Sequence, residues 1–279
     1  MLRVEAHAKI NLTLDVVGKR PDGYHELRTI MHEIPLCDEL TLDFDAEGLS
    51  CTTNLPYIKN DSNLALRAAV SFYERTGIDE GLRISVEKRT PVGAGLGGGS
   101  ADAAAVLNAL NDRHGNPLSK DELLALGAKL GADVPFCMVG GCALCEGIGE
   151  KMTELPTLPR CHIVLVKPAA SLSTADMFAR LDHMGKNALH PDTDACIAAL
   201  RSGDLIELAK RMFNSMESAA GRVAEIAEAK NELLRMGALG ACMSGSGSSV
   251  VGLFDDRKVA ESAADGCRGY RREVFLLDM

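Results

Sequence analysis

The sequence contains no tryptophan, and aromatic residues make up only 4% of its 279 residues. A packed core must therefore consist mainly of aliphatic side chains, for which a hydrophobic content of 46% is ample. No apolar run approaches the roughly 18 residues of a membrane span, and the N-terminal residues lack the apolar segment of a signal peptide. We therefore expect a cytoplasmic protein without a membrane partner, of a length that fits two domains.

Positive charge is not in excess. The chain has 30 lysines and arginines against 39 aspartates and glutamates, which gives a formal net charge of −9. A nucleic-acid-binding surface needs a basic face, so nucleic acid is not the expected partner. The charge does not exclude a small anionic ligand, because a glycine loop with one or two lysines is enough to bind one.

Sequence patterns for metal binding are scarce. Cys142 and Cys145 form the only C-x-x-C pair, with no second pair and no histidine near it, and this pair alone does not predict a zinc site. The nine cysteines are scattered through apolar segments. We expect them to be reduced thiols that pack as small hydrophobic side chains, and we predict no protein-bound metal ion.

Glycine is concentrated in one stretch, Pro91–Asp102, where five glycines lie between Gly93 and Gly99. The preceding segment 82–88 alternates apolar and polar residues as a strand does, and the following segment 102–110 is rich in alanine and leucine as a helix is. A glycine loop before a helix exposes backbone N–H groups at the positive end of the helix dipole. This order predicts phosphate binding, with a purely structural glycine turn as the alternative.

Two common nucleotide-binding patterns do not explain this loop. Residues 93–98 match the dinucleotide pattern G-x-G-x-x-G, but that fingerprint needs a second parallel strand after the helix. Here a turn and a further helix follow instead. The P-loop pattern is also absent, because Gly18-Lys19 and Gly185-Lys186 are not followed by serine or threonine.

Two polar residues lie in apolar surroundings. Lys9 belongs to an alternating segment, 2–16, that predicts one long strand or two consecutive strands, with Asn11 on the same face. It is either a lysine whose head reaches the surface or a buried functional cation. Asp133, two residues before Pro135, is either an ordinary helix cap or a partly buried acid beside the glycine loop.

A second polar cluster follows the turn Pro21-Asp22-Gly23. Tyr24 and His25 emerge from it together, as a stacking platform or as the corner of a hairpin. Further along, Asp61 or Ser62 is predicted to cap a helix, and Ser119 with Glu122 forms a capping box.

The proline-rich segment 155–160 predicts a domain boundary, with domains at 1–157 and 158–279. In the second half, Ser173 or Thr174 is predicted to cap a helix, and helices are predicted at 194–200, 205–213, 223–236 and 257–266. A second Gly/Ser loop follows Gly240 and precedes a strand, and a final strand is predicted at 272–277.

These features together resemble the GHMP kinase superfamily, whose three motifs match at 8–12, 91–103 and 243–249. The resemblance implies an α+β protein with the two-domain GHMP kinase fold. Its N-terminal mixed α/β domain would contain a left-handed βαβ-type, ribosomal-domain-like core that binds ATP, and its C-terminal α/β domain would be ferredoxin-like. It also implies an ATP-dependent small-molecule kinase that uses Mg²⁺.

Within the superfamily, segments 18–27, 131–136 and 173–178 resemble the branch that acts in non-mevalonate isoprenoid synthesis on a substrate carrying a cytidine diphosphate. Lys9 and Asp133 match its catalytic pair. The matching nucleotide-binding residues are Asn63, near the adenine, and Pro91, Gly93, Gly95, Leu96, Gly97, Gly98, Gly99, Ser100 and Ala101. The matching substrate contacts are Asn11, Thr174, the ring pair Tyr24 and Phe178 that sandwiches the cytosine, and His25, which reads the base edge. Ala101 departs from the family pattern, which has a serine there.

Three alternatives remain beside this interpretation. A homoserine- or mevalonate-type kinase shares the superfamily motifs. A nucleic-acid-binding module shares the N-terminal fold, although the net charge of −9 argues against it. A dinucleotide-dependent oxidoreductase is the third. We expect a monomer or a weak homodimer.

Overall fold

Two long strands open the chain: β1 (Leu2–Lys19) and β2 (His25–Asp43). The computed structural model describes residues 1–58, 63–221, 223–269 and 272–279. The segment predicted as one or two strands is a single strand of 18 residues. Gly23 has a φ of +89° in the turn between β1 and β2, which is the left-handed conformation expected for the glycine of this turn.

Two compact units share the chain in alternating stretches. The first comprises Met1–Lys9, Leu36–Val92 and Gly97–Gly140, and the second comprises Ile10–Pro35, Gly93–Leu96 and Gly141–Met279. The domain boundary predicted at 157 stays a prediction.

The first unit contains a βαβ unit. Strand β3 (Leu49–Thr53) leads into helix α1 (Leu64–Thr76) and then into β4 (Leu82–Glu87), which pairs with β3 in parallel and with β2 in antiparallel orientation. In β4 the apolar residues are buried and the polar ones exposed, as the alternating pattern predicts. Strand β4 therefore leads directly into the segment that contains the glycine loop.

Three further helices complete the first unit: α2 (Gly98–Arg113), α3 (Lys120–Leu130) and α4 (Val134–Val139). The predicted capping box of Ser119 and Glu122 is present at the start of α3. Asn63 caps α1 by accepting a hydrogen bond from the Ala65 N–H, and the predicted caps Asp61 and Ser62 lie outside the described residues. Alanines of α1 and α2 make up much of the core, which fits the scarcity of aromatic residues.

The second unit contains the second half of β1 and the first half of β2. Strand β5 (Cys142–Gly147) pairs with the first half of β2, β6 (Lys151–Glu154) pairs with β5, and the two-residue β8 (Phe213–Asn214) pairs in parallel with β1. These strands were not predicted. The helix predicted at 205–213 ends at Arg211, because Phe213 enters β8.

A second sheet in this unit has four strands: β7 (His162–Lys167), β9 (Gly240–Met243), β10 (Val250–Phe254) and β11 (Glu273–Asp278). Their order is β11-β7-β10-β9, and every neighbouring pair is antiparallel. This is the ferredoxin-like order, so the predicted α+β class and the C-terminal architecture are confirmed. The remaining α-helices are α5 (Thr174–Met184), α6 (Thr193–Ser202), α7 (Leu205–Arg211), α8 (Met216–Ala220), α9 (Ala224–Arg235) and α10 (Arg257–Cys267).

None of the helices within the described ranges is both long enough and apolar enough to cross a membrane.

Candidate active site

The last two glycines of the glycine stretch belong to the first turn of the helix that follows it. Helix α2 begins at Gly98, not at the predicted Asp102, with Gly97 as its N-cap at a φ of +69°. The first hydrogen bond of the helix runs from the Ala101 N–H to the Gly97 carbonyl. Gly98, Gly99 and Ser100 therefore supply the N–H groups of the first turn, which have no partner within a helix and favour an anion.

Glycine is required in this loop by close contacts as well as by conformation. A Cβ atom on Gly95, whose φ is +78°, would lie 2.0 Å from the Ser244 carbonyl oxygen. A Cβ atom on Gly97 would lie 3.0 Å from Lys9 Cγ. The loop thus combines left-handed backbone with tight packing, which only glycine allows without strain.

Lys9 and Asp133 form an ion pair in the first unit. Lys9 Nζ lies 3.2 Å from Asp133 Oδ2, and the side chains are 3% and 30% exposed. The burial of Lys9 rules out the surface alternative. Asp133 occupies the N-cap position of α4, but its side chain makes no capping hydrogen bond. Its carboxylate pairs with Lys9 instead.

Most of the other matched nucleotide residues lie in the same unit, whereas Gly93, Gly95 and Leu96 belong to the second unit. A Cβ atom on Gly131 would lie 3.6 Å from Ser100 Oγ, so the serine hydroxyl lies beside the segment that leads to Asp133. Ala101 is buried, and Asn63 is 7% exposed with its side-chain oxygen bonded to the Ala65 N–H. Of the residues matched before α2, Pro91 and Leu96 are buried and Gly93 is exposed.

A buried charged cluster, Lys88 with Asp38 and Asp102, supports the start of α2. Lys88 Nζ donates to Asp102 Oδ2 at 2.7 Å and to Asp38, which also accepts from the backbone N–H groups of Arg89 and Thr90. Burial raises the pKa of the Asp102 carboxyl to about 7; Lys88 opposes this rise and Asp38 adds to it. Burial lowers the pKa of Lys88, but the two carboxylates outweigh it and the net pKa is raised. This cluster was not predicted from the sequence, although an aspartate inside an alanine-rich helix was a usable signal.

In the second unit, His25 stacks on Phe178. The ring centroids are 4.4 Å apart and the planes differ by 11°. His25 Nε2 lies 2.7 Å from Asp182 Oδ1, and Lys19 Nζ donates to Asp182 Oδ2 at 2.6 Å. The hydrogen bonds from Lys19 and His25 hold the pKa of the Asp182 carboxyl below its usual range. The Tyr24 side chain is 60% exposed.

Asn11 and Thr174 lie on hydrogen-bond networks of the same unit. Asn11 Nδ2 donates to Thr29 Oγ1 at 2.7 Å, and its backbone N–H donates to Ser244 Oγ. Ser244 Oγ in turn donates to the Gly95 carbonyl, so the second Gly/Ser loop fixes the glycine loop.

Thr174 Oγ1 lies 2.8 Å from Ser246 Oγ. Of the two predicted caps of α5, Ser173 is the one that caps, since it accepts from the Asp176 N–H.

Sequence reasoning missed Asp182, Lys19 and Ser244. Asp182 follows Phe178 by four residues on α5, which is the spacing that brings two side chains to one face of a helix. That spacing was a signal that could have found it. Ser244 lies in the matched motif 243–249, but its contacts with Asn11 and Gly95 had no signal, because these partners are distant in sequence.

Comparison with known families gives two matches. The model of the GHMP kinases N terminal domain matches residues 63–141, and that of the GHMP kinases C terminal domain matches residues 196–270.

Similar proteins agree with these matches. A 4-diphosphocytidyl-2-C-methyl-D-erythritol kinase of Acetivibrio thermocellus is 44% identical over 277 residues, which cover 99% of this chain and 98% of the relative. The protein of the same name from Clostridium acetobutylicum is 45% identical over 277 residues, with 99% of each chain covered.

Solved structures are similar over the whole chain. A crystal structure of 4-(cytidine 5'-diphospho)-2C-methyl-D-erythritol kinase has a TM-score of 0.82 and 35% identity, with 100% of both chains covered. Homoserine kinase from Cytophaga hutchinsonii has a TM-score of 0.73 at 21% identity, with 99% of this chain and 95% of that chain covered, which is a likeness of fold alone.

Proposed function

Because this chain belongs to the GHMP kinase family, we propose that it transfers the γ-phosphoryl group of ATP to the 2-hydroxyl of 4-diphosphocytidyl-2-C-methyl-D-erythritol. The products are ADP and the 2-phosphate of that substrate, in the non-mevalonate route to isoprenoid precursors. The observation that carries the kinase chemistry is the ion pair between buried Lys9 and partly buried Asp133, in the unit that contains the first turn of α2.

The glycine loop is the proposed site of the ATP triphosphate. The residues present fit this group, because glycine conformations and close backbone packing leave N–H groups of the first helical turn unobstructed by Cβ atoms. Phosphoryl transfer requires positioning and charge stabilisation more than covalent chemistry, which is what such a loop provides. When bound together with ATP, Mg²⁺ would neutralise part of the phosphate charge.

Asp133 is the proposed general base. Its carboxylate accepts the proton of the attacking hydroxyl, and the Lys9 ammonium lies 3.2 Å from that carboxylate as its charge partner. Lys9 also places a positive charge where the hydroxyl and the γ-phosphoryl group react. A direct in-line transfer needs both residues, because neither one alone provides the base and its charge partner.

His25, Phe178 and Tyr24 are the proposed cytosine site. A base that hydrogen-bonds in the plane of the His25 ring is parallel to the Phe178 ring, since the two rings differ by only 11°. Stacking of a base on an aromatic ring contributes about 1–3 kcal/mol. The exposed Tyr24 ring offers a second face, and Asn11 and Thr174 are proposed to contact the rest of the substrate.

The experiment is a comparison of acceptors with the purified chain, ATP and Mg²⁺. We expect ADP release with the cytidine diphosphate substrate at a kcat/KM at least about 100-fold above that with homoserine or mevalonate. A higher kcat/KM with homoserine or mevalonate would move the assignment to another branch of the family. We further propose that the chain acts in the cytoplasm as a monomer or weak homodimer, with domains at 1–157 and 158–279.

A further inference from the structure

We propose that Asp182 is a positioning residue that fixes the tautomer of His25 and thereby makes the site select cytosine over uracil. The proposal rests on the proposed function, since it concerns how the base of that substrate is read. Asp182 contacts the Nε2 side of the imidazole, and the base is proposed to bind on the Nδ1 side.

The geometry defines the protonated nitrogen. An ionised carboxylate only accepts hydrogen bonds, so the 2.7 Å contact between Asp182 Oδ1 and His25 Nε2 requires Nε2 to carry a proton. Lys19 donates to the other oxygen, Oδ2, at 2.6 Å and keeps the carboxylate charged. The His25 side chain is only 9% exposed, so water competes little for its ring nitrogens.

In the neutral form of His25 the other ring nitrogen is then an acceptor. In a neutral imidazole with a proton on Nε2, Nδ1 carries a lone pair in the plane of the ring. Cytosine presents an amino group, N4–H₂, which donates to such a lone pair, whereas uracil presents the O4 carbonyl at the same position, which cannot donate. The same base position is therefore attractive for cytosine and repulsive for uracil.

Helix α5 supplies both partners of His25. Phe178 and Asp182 are four residues apart on it, so one helix face delivers the ring that stacks on the imidazole and the carboxylate that orients it. Stacking fixes the plane of the imidazole, and the carboxylate fixes its rotation and its proton. Neither contact alone would place a lone pair at a defined position.

Asp182→Asn tests the role of the charge with almost no change in shape. Lys19 can only donate, so the new amide turns its oxygen toward Lys19 and its NH₂ group toward His25 Nε2. Nε2 must then accept, the proton moves to Nδ1, and the imidazole presents a donor to the base. We expect the ratio of kcat/KM for the cytidine substrate over its uridine analogue to fall by about 10- to 100-fold.

Three further variants separate tautomer control from a structural effect. Asp176→Asn makes the same chemical change at an exposed position of α5 and should leave the ratio unchanged. Lys19→Met leaves the Asp182 carboxylate in place, so this variant should also leave the ratio of kcat/KM values unchanged. The double variant Lys19→Met/Asp182→Asn frees the amide to turn its oxygen toward Nε2, so we expect the cytosine preference to recover in part. A purely structural role for Asp182 predicts no such recovery.

A measurement without substrate distinguishes failure of this inference from failure of the proposed function. In ¹⁵N-histidine-labelled protein, with the His25 signals assigned by their loss in His25→Gln, we expect a protonated Nε2 and an unprotonated Nδ1, and the reverse in Asp182→Asn. A protonated Nδ1 in the wild type would overturn the inference whatever the substrate is. Equal loss of activity toward both bases in Asp182→Asn, with an unchanged ratio, would also overturn it. If the tautomers are as expected but the cytidine substrate does not react, the proposed function fails instead.

Discussion

A lysine that is 3% exposed needs a partner, because an unpaired buried charge is strongly unfavourable. Lys9 has Asp133 as its ion-pair partner, and the Asp133 side chain makes no capping hydrogen bond at the start of α4. From the sequence, Lys9 and Asp133 each had an ordinary alternative, as a surface lysine and as a helix cap. Burial and the missing cap hydrogen bond decide against both alternatives, and neither quantity can be read from residue types.

Asp133→Asn and Lys9→Met are expected to reduce turnover by at least about 100-fold, because they remove the base or its charge partner. Initial rates of ADP formation at saturating ATP check this. Thermal unfolding should show that both variants are folded, and Asp192→Asn is a matched control at a capping aspartate outside the proposed site. Near-normal turnover in either variant would mean that the catalytic pair is wrongly assigned.

Gly97→Ala is expected to impair catalysis as well as stability. The new Cβ would lie 3.0 Å from Lys9 Cγ and would force a left-handed backbone on alanine. Gly115→Ala imposes the same left-handed strain, at a φ of +74°, with no atom within 4 Å of the new Cβ. Both variants should lose about 1 kcal/mol or more of stability, but only Gly97→Ala should lose most of its kcat/KM for ATP. Equal activity in the two variants would contradict the proposed role of this loop.

At the scale of elements, helix α2 shows where sequence patterns lose precision. The alanine-rich segment predicted a helix from Asp102, whereas the helix starts at Gly98 because backbone hydrogen bonding, not propensity, sets the first turn. The shift matters, since it turns Gly98, Gly99 and Ser100 from loop residues into N–H donors of the helix end. It also places Asp102 in the buried cluster with Lys88 and Asp38.

This cluster predicts a pH dependence of stability. Burial raises the pKa of Asp102 to about 7, so the native state keeps a proton that the unfolded chain releases near its ordinary pKa of 3.8. Between these values the unfolded state binds fewer protons, and the free energy of unfolding falls as the pH rises. Asp102→Asn lacks this titration, so its stability relative to the wild type should increase from pH 4 to pH 7 in urea unfolding.

The control for that experiment is Asp112→Asn, an exposed aspartate on the same helix. Its difference from the wild type should stay constant across the same pH range. A constant difference for Asp102→Asn would show that this carboxyl titrates normally.

Elements with a regular pattern could be predicted, and short ones could not. Alternating residues predicted β1 and β4, and capping residues predicted α3 and α5. Strand β8 has two residues and is defined only by its pairing with β1, so no local sequence pattern predicts it.

At the scale of the whole molecule, the family resemblance implies the α+β class and the ferredoxin-like second sheet. Residue patterns do not show how separate stretches of the chain combine. Each compact unit collects segments from separate parts of the chain, and the glycine stretch itself is divided between Leu96 and Gly97. The contacts of Ser244 with Asn11 and Gly95 depend on that assembly. The motifs were visible because they are local, while the residues that support them were not.

The cysteines give a measurement on the whole folded chain. All nine are thiols, and seven of them are buried. Burial raises the pKa of Cys142 and of Cys196 to about 12, which suppresses the reactive thiolate. We expect a thiol-specific reagent to modify at most the two partly exposed cysteines, Cys37 and Cys137, in native protein and all nine after denaturation. Rapid native labelling of more than two thiols would contradict this packing.

The most direct test of the central claim is phosphorus NMR of one reaction mixture. Purified chain, ATP, Mg²⁺ and 4-diphosphocytidyl-2-C-methyl-D-erythritol should give a new phosphomonoester signal that grows with the ADP signals, while the diphosphate signals of the cytidine substrate persist. The signal should be absent with Asp133→Asn on the same time scale. A folded wild-type protein that leaves ATP and this substrate unchanged, yet phosphorylates homoserine or mevalonate, would contradict the account.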